Sequence, residues 1–171
     1  MSKALFITTK DLKQRSIISG TVDPDKIVQF IEVAQDTHIQ NYLGGRLYKK
    51  IQELITGNTI DDAANANYKN LLTTYIKPML IWYAQSDFIP FSAFQISNGG
   101  IYKHRSESSD SLTMEEINML SAKALETAEF YARRFMDYMD HYSYLFPEYL
   151  ESANEEMMPD KDVNFGGIYL G

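Results

Sequence analysis

The sequence predicts a mainly α-helical bundle with two long central helices, a small β-hairpin insertion and an extended C-terminal tail. Three observations carry that expectation. Apolar residues recur at three- and four-residue steps through two long stretches, Tyr68 to Ile89 and Thr113 to Leu145. Helix start and stop signals punctuate the chain at Thr8, Asp23-Pro24, Gly44-Gly45, Gly57-Asn58 and Thr113 to Glu116. Alternation of apolar and polar residues is confined to 92–107, around Asn98-Gly99-Gly100.

The chain has 171 residues, 44% hydrophobic and 23% charged, the balance of a folded domain. At this length about 70% of the unfolded surface can be buried, so no staple is required. The absence of cysteine removes thiolate nucleophiles, CxxC redox pairs and cysteine-held metals together. A net charge of −7 is the wrong sign for broad phosphate neutralisation, which sets nucleic-acid binding aside. The apolar run at Ala4 to Ile7 is too short for a signal core, and Ile76 to Phe94 is interrupted by Lys77, Pro78, Gln85, Asp87 and Pro90, so no membrane span is expected. Twelve Tyr, nine Phe and one Trp supply large contact areas suited to cores and to protein interfaces.

Taken in order, Thr8 or Thr9 caps a short helix over Lys10 to Arg15, and Ser19-Gly20 breaks it. Asp23 precedes Pro24, which suits the first helical position because its missing N–H costs nothing there. Ile27, Phe30, Ile31, Ala34, His38 and Tyr42 then line one face of a helix expected to end at Gly44-Gly45. Arg46 to Ile55 repeats the spacing and stops at Gly57-Asn58. After a linker over 60–67, with Asp61 or Asp62 available as a cap, comes the first long helix. Its apolar stripe, Tyr68 through Tyr83, is too wide for a surface helix and places it at the centre. Pro78 should bend it and Pro90 end it. Thr113 and Glu116 form a capping box for the last helix, whose stripe is read as Ile117, Leu120, Ala124, Ala128, Tyr131, Phe135, Tyr138 and Tyr142. The expected core is Leu72, Ile76, Met79, Tyr83, Leu120, Ala128, Tyr131 and Phe135. The helical domain spans 1–150 with the hairpin at 92–107, and 151–171 forms a flexible acidic spacer followed by an aromatic arm.

Catalytic patterns are sparse. No HExxH or Glu-x-x-His spacing holds the three histidines, and Asp137 with His141 is the nearest approach to an acid-base pair. Gly44-Gly45 and Gly99-Gly100 lack phosphate-loop spacing, and no GxSxG elbow is present. Arg46 with Lys49 and Lys50, Lys103 to Arg105, and Arg133-Arg134 read as solvated basic faces. The expectation is therefore a protein that is not an enzyme and holds no cofactor and no metal.

The ordered set of elements has a further meaning. The opening Ile7 to Lys13, then Asp23 to Lys26, then the helix through Ile39-Gln40-Asn41-Tyr42-Leu43-Gly44, resembles the start of head-to-tail connector proteins of tailed bacteriophages. The stretch Tyr75 to Phe91, the Ser97 to Gly100 turn and Phe130 to Tyr149 resemble the second half of related neck proteins, especially those of phages of Bacteroides-type hosts. The likeness covers Ile7 to Tyr149. It implies a structural virion protein, assembled in the bacterial cytoplasm as a ring, usually of twelve copies, on the portal protein in the neck. The ring would extend the DNA channel toward downstream neck or tail proteins and let DNA pass without specific binding. Protein-interface residues are expected on the hairpin, at Ile101, Lys103 and Arg105, and in the terminal arm, at Phe165, Ile168, Tyr169 and Leu170. The alternative is a helical-bundle enzyme or small-ligand-binding domain with a pocket between the long helices, lined by His38, Trp82, Tyr83 and Asp87.

Overall fold

A computed structural model describes residues 3–18, 22–92, 94–97, 100–103 and 113–151, together with Pro159. The described chain is mainly helical. Helix α1 (Thr9–Arg15) starts at a capping box in which Thr8 and Asp11 satisfy each other's backbone amides. The break expected at Ser19-Gly20 lies outside the described residues. Helix α2 (Pro24–Ala34) starts at Asp23, whose carboxylate accepts from the Asp25 amide. It continues through a π-helical turn, Gln35–Ile39, into α3 (Gln40–Thr56). Gly44 breaks α3 with φ 71° and ψ 164°, a region in which a Cβ would clash, so only glycine lets the chain change direction there. The left-handed residue after α3 is Asn58, at φ 53°.

A 3-10 turn, Ala63–Asn65, leads into α4 (Ala66–Asn70), a π-helical turn over Leu71–Ile76, and α5 (Lys77–Ser92). The cap expected from Asp61 or Asp62 is not made: Asp62 precedes the 3-10 turn without a side-chain cap bond, and Asp61 pairs with Lys69 at 2.9 Å. The π turn ends at Ile76, two residues before Pro78, which cannot supply the ordinary helical donor to the Thr74 carbonyl inside that turn. Pro90 does not end α5, which runs to Ser92. The carbonyl of Ser86, which Pro90 cannot serve, instead accepts from the Ser121 hydroxyl at 2.8 Å, so the missing bond is replaced from a neighbouring helix.

Strands β1 (Phe94–Ser97) and β2 (Gly100–Lys103) pair antiparallel, with Ile101 opposite Ile96 and Lys103 opposite Phe94. The remaining hairpin positions 98–99 and 104–107, including Arg105, lie outside the described residues. Helix α6 (Met114–Tyr142) starts at the Thr113–Glu116 capping box. A 3-10 turn, Ser143–Leu145, and a short α7 (Pro147–Leu150) follow. The terminal arm at 165–170 is also outside the described residues.

Helix α5 sits at the centre, packed against α6, α2 and α1, and is buried on almost every side from Met79 to Ile89. The core extends well beyond the two long helices: Phe6, Ile7, Leu12, Ile27, Ile31, Leu43, Leu47 and Ile51 are all but fully buried with Ile76 and Phe135. Each such aliphatic side chain contributes on the order of 1.5–3 kcal/mol by leaving water. Leu72, Ile76, Met79, Tyr83, Ala128 and Phe135 are buried as expected, whereas Leu120 is 36% exposed and Tyr131 half-buried. The buried line of α6 is Ile117, Ala124, Ala128, Ala132, Phe135 and Met139. It drifts off the aromatic stripe because small alanines, not tyrosines, let α5 approach closely. Tyr138 and Tyr142 flank that line, and Tyr142 is exposed. No described helix is long and apolar enough to cross a membrane.

Candidate functional site

The polar side chains that converge lie where the α2–α3 π turn meets α5. A π turn carries an extra residue and rotates the side chains that follow, and this one sets His38 against α5. The His38 ring stacks flat on Tyr83, with centroids 4.0 Å apart and planes within 7°. His38 Nε2 lies 3.4 Å from Asp87 Oδ2, both side chains about 30% exposed. The Tyr83 hydroxyl is 3.1 Å from that of Tyr42 on α3. Three of the four residues expected around a pocket, His38, Tyr83 and Asp87, are thus neighbours. Trp82 turns away, packed between the main core and a small cluster of Ile89, Ile117 and Ala124.

Sequence reasoning misses two members of the cluster: it places Tyr42 only on an apolar face and gives Glu129 no role. Glu129 sits on α6, 3% exposed, with Oε2 lacking any hydrogen-bond partner. The signal for its burial is indirect: residue 129 follows Ala128 and lies three residues before Ala132, both on the buried line of α6. Burial pushes its carboxyl pKa up, more than Arg133 pulls it down, and Glu126 adds to the rise. Burial also raises the Tyr83 phenol, as do its bond to Tyr42 and the charges of Glu129 and Asp87. Tyr83 therefore stays protonated near neutrality and acts as a hydrogen-bonding and packing group, not as a base.

The remaining candidates disperse. Asp137 and His141, one helical turn apart, do not form a carboxylate–imidazole pair: His141 Nδ1 donates to the Asp137 backbone carbonyl at 2.8 Å. Arg46 pairs with Glu151 at 3.0 Å, Lys50 lies over the Tyr68 ring, and Arg134 lies over the Tyr131 ring. These basic groups are engaged in contacts within the chain. Among the described residues no group of three or more His, Asp or Glu side chains could hold a metal ion. Ile101 and Lys103 are placed on β2 by the strand register, while Arg105, Phe165, Ile168, Tyr169 and Leu170 lie outside the described residues.

Large apolar side chains also remain on the surface, in places the core does not need. Phe91 is 61% exposed at the end of α5, with its ring 5.3 Å from Phe30. Met119 and Phe130 are exposed along α6, and Tyr144 and Leu150 near the end of the helical region.

A family model described as "Family of unknown function (DUF6712)" matches residues 39–156, from the end of the π turn through α7. No curated protein and no solved structure matches the chain.

Proposed function

We propose that this chain, which belongs to the family of unknown function DUF6712, is a head-to-tail connector of a tailed bacteriophage. In this reading it forms a ring on the portal in the virion neck and continues the DNA channel toward the tail. The observation that carries it is the order of elements over Ile7 to Tyr149, the stretch on which the likeness to connectors rests: short capped helix, glycine-broken helix, central α5, strand pair, long α6. Exposed Phe91, Met119, Phe130 and Tyr144 are large apolar and aromatic side chains of the kind that contacts between subunits use. A net charge of −7 suits a channel along which DNA slides without sticking. Heterologous contacts between identical copies close into a ring when the rotation between them permits. The hairpin residues Ile101, Lys103 and Arg105 and the arm residues Phe165, Ile168, Tyr169 and Leu170 are the proposed contacts with the portal or an adjacent copy.

The test is direct. The chain is mixed with the portal protein encoded in the same genome and examined by light scattering and electron microscopy. A ring added to one face of the portal is the expected result. A chain that remains monomeric and unbound in the presence of assembled portal overturns the reading. The second reading, a ligand-binding bundle, is favoured by the juxtaposition of His38, Tyr83 and Asp87. It would show as a ligand-dependent rise in melting temperature of the isolated chain.

A further inference from the structure

Four polar side chains are buried among the described residues, and three have partners. Gln35 bonds Phe6, Ala4 and Tyr48, Gln85 accepts from the Ile17 amide, and Ser86 donates to the Tyr83 carbonyl. Glu129 is different, because its buried Oε2 has none. With Oε2 buried and unpartnered, the Glu129 carboxylate costs more to bury ionised than neutral, so its site on α6 tolerates the acid better than the anion.

We propose that Glu129 is a proton-operated latch in the α5–α6 seam: protonated, it lets the helices close around it, and ionised, it loosens α6 locally so that water can reach the carboxylate. Its surroundings support this direction. Glu126 and the exposed Arg133 flank it on α6, and only Arg133 favours the anion. Across the seam, Tyr83 on α5 feels the charges of both Glu129 and Asp87, and beyond Tyr83 lie Tyr42 of α3 and His38 of the π turn. The folded-state proton affinity of Glu129 is raised, so its cost to folding is absent below the ordinary carboxyl value of 4.5. That cost grows as pH rises from there through the higher folded value, then stays constant. Glu129 acts in this way in the isolated chain, whatever the chain assembles with.

Trp82, the sole tryptophan, is the natural reporter, because it precedes Tyr83 on α5 and packs against both core clusters. Its emission and the urea midpoint are followed from below the ordinary carboxyl value of 4.5 up to neutral pH in wild type, Glu129→Gln and Glu129→Met. Hydrogen exchange of the amides around 129 is measured at neutral pH. His38 and Asp87 are common to all three proteins, so the difference between profiles isolates Glu129. The expected result is a wild-type midpoint that falls with rising pH relative to both variants, and exchange about tenfold slower in Glu129→Gln, equivalent to ~1.4 kcal/mol in the opening equilibrium. Variants whose midpoints equal or fall below wild type at neutral pH, with parallel pH profiles, overturn the proposal. Should Glu129→Gln unfold because its amide is unsatisfied, Glu129→Met decides alone, since it removes charge and polarity together.

Discussion

Gln35 Oε1 accepts a hydrogen bond from the Phe6 backbone amide at 2.7 Å, joining the N-terminal segment to the π turn. The same side chain donates to the Ala4 carbonyl and to the Tyr48 hydroxyl, both at 3.0 Å. One amide thus serves the Phe6 N–H and the Ala4 carbonyl, the latter shared with Gln52 at 3.5 Å. Gln35→Leu should destabilise the domain by roughly 1–3 kcal/mol for each buried group left unpaired. Tyr48→Phe should cost less, because it removes one bond and leaves the segment attached. Urea unfolding of both variants checks the order, and equal effects would place the clasp in Tyr48.

Leu72 and Leu120 test the register of the two long helices. Leu72 is 5% exposed and Leu120 36% exposed. Leu72→Ala should cost about 2–5 kcal/mol, and Leu120→Ala under about 1 kcal/mol, as read from urea midpoints. A reversal would return the α6 stripe to the one that aromatic spacing suggests.

Ser121 and Pro90 form a compensating pair. Ser121→Ala should cost roughly 1–2 kcal/mol by orphaning the Ser86 carbonyl. Adding Pro90→Ala restores an amide four residues after Ser86 and should recover most of that loss. A double-mutant cycle with no coupling would mean that the carbonyl finds another donor.

Gly44→Ala should be strongly destabilising, by about 1–3 kcal/mol, because φ 71° with ψ 164° admits essentially glycine alone. Gly57, the helix-end neighbour of Asn58, has an ordinary φ of −76° and carries no such backbone constraint. Thermal melts of Gly44→Ala should show the loss whatever the oligomeric state.

Asp11 sets an acid limit. Burial raises its carboxyl pKa, but the Thr8 amide and hydroxyl, with Lys77 and Arg15, together outweigh it and hold the value below the ordinary 3.8. The stability it contributes is therefore complete above 3.8 and lost as pH falls through the lower folded value. Asp11→Asn should flatten that part of the acid-unfolding profile, which circular dichroism along an acid titration would read. An unchanged profile would assign acid unfolding to other carboxylates.

Local chemistry was legible in the sequence wherever it acts over a few residues. Thr8, Asp23 and Thr113 start helices because a side-chain oxygen reaches amides two or three positions on, and Gly44 interrupts one because the chain must enter a region closed to a Cβ. What depends on partners distant in sequence was decided only by tertiary packing. Pro90 stays within α5 because Ser121, on another helix, supplies a donor. The buried face of α6 follows its alanines because α5 must come close, and Glu129, next to Ala128, is buried without a donor for Oε2. Tyr42 meets Tyr83, and His38 stacks there beside Asp87, because a π turn rotates one helix against another, and periodicity at about 3.6 residues per turn carries no trace of that rotation.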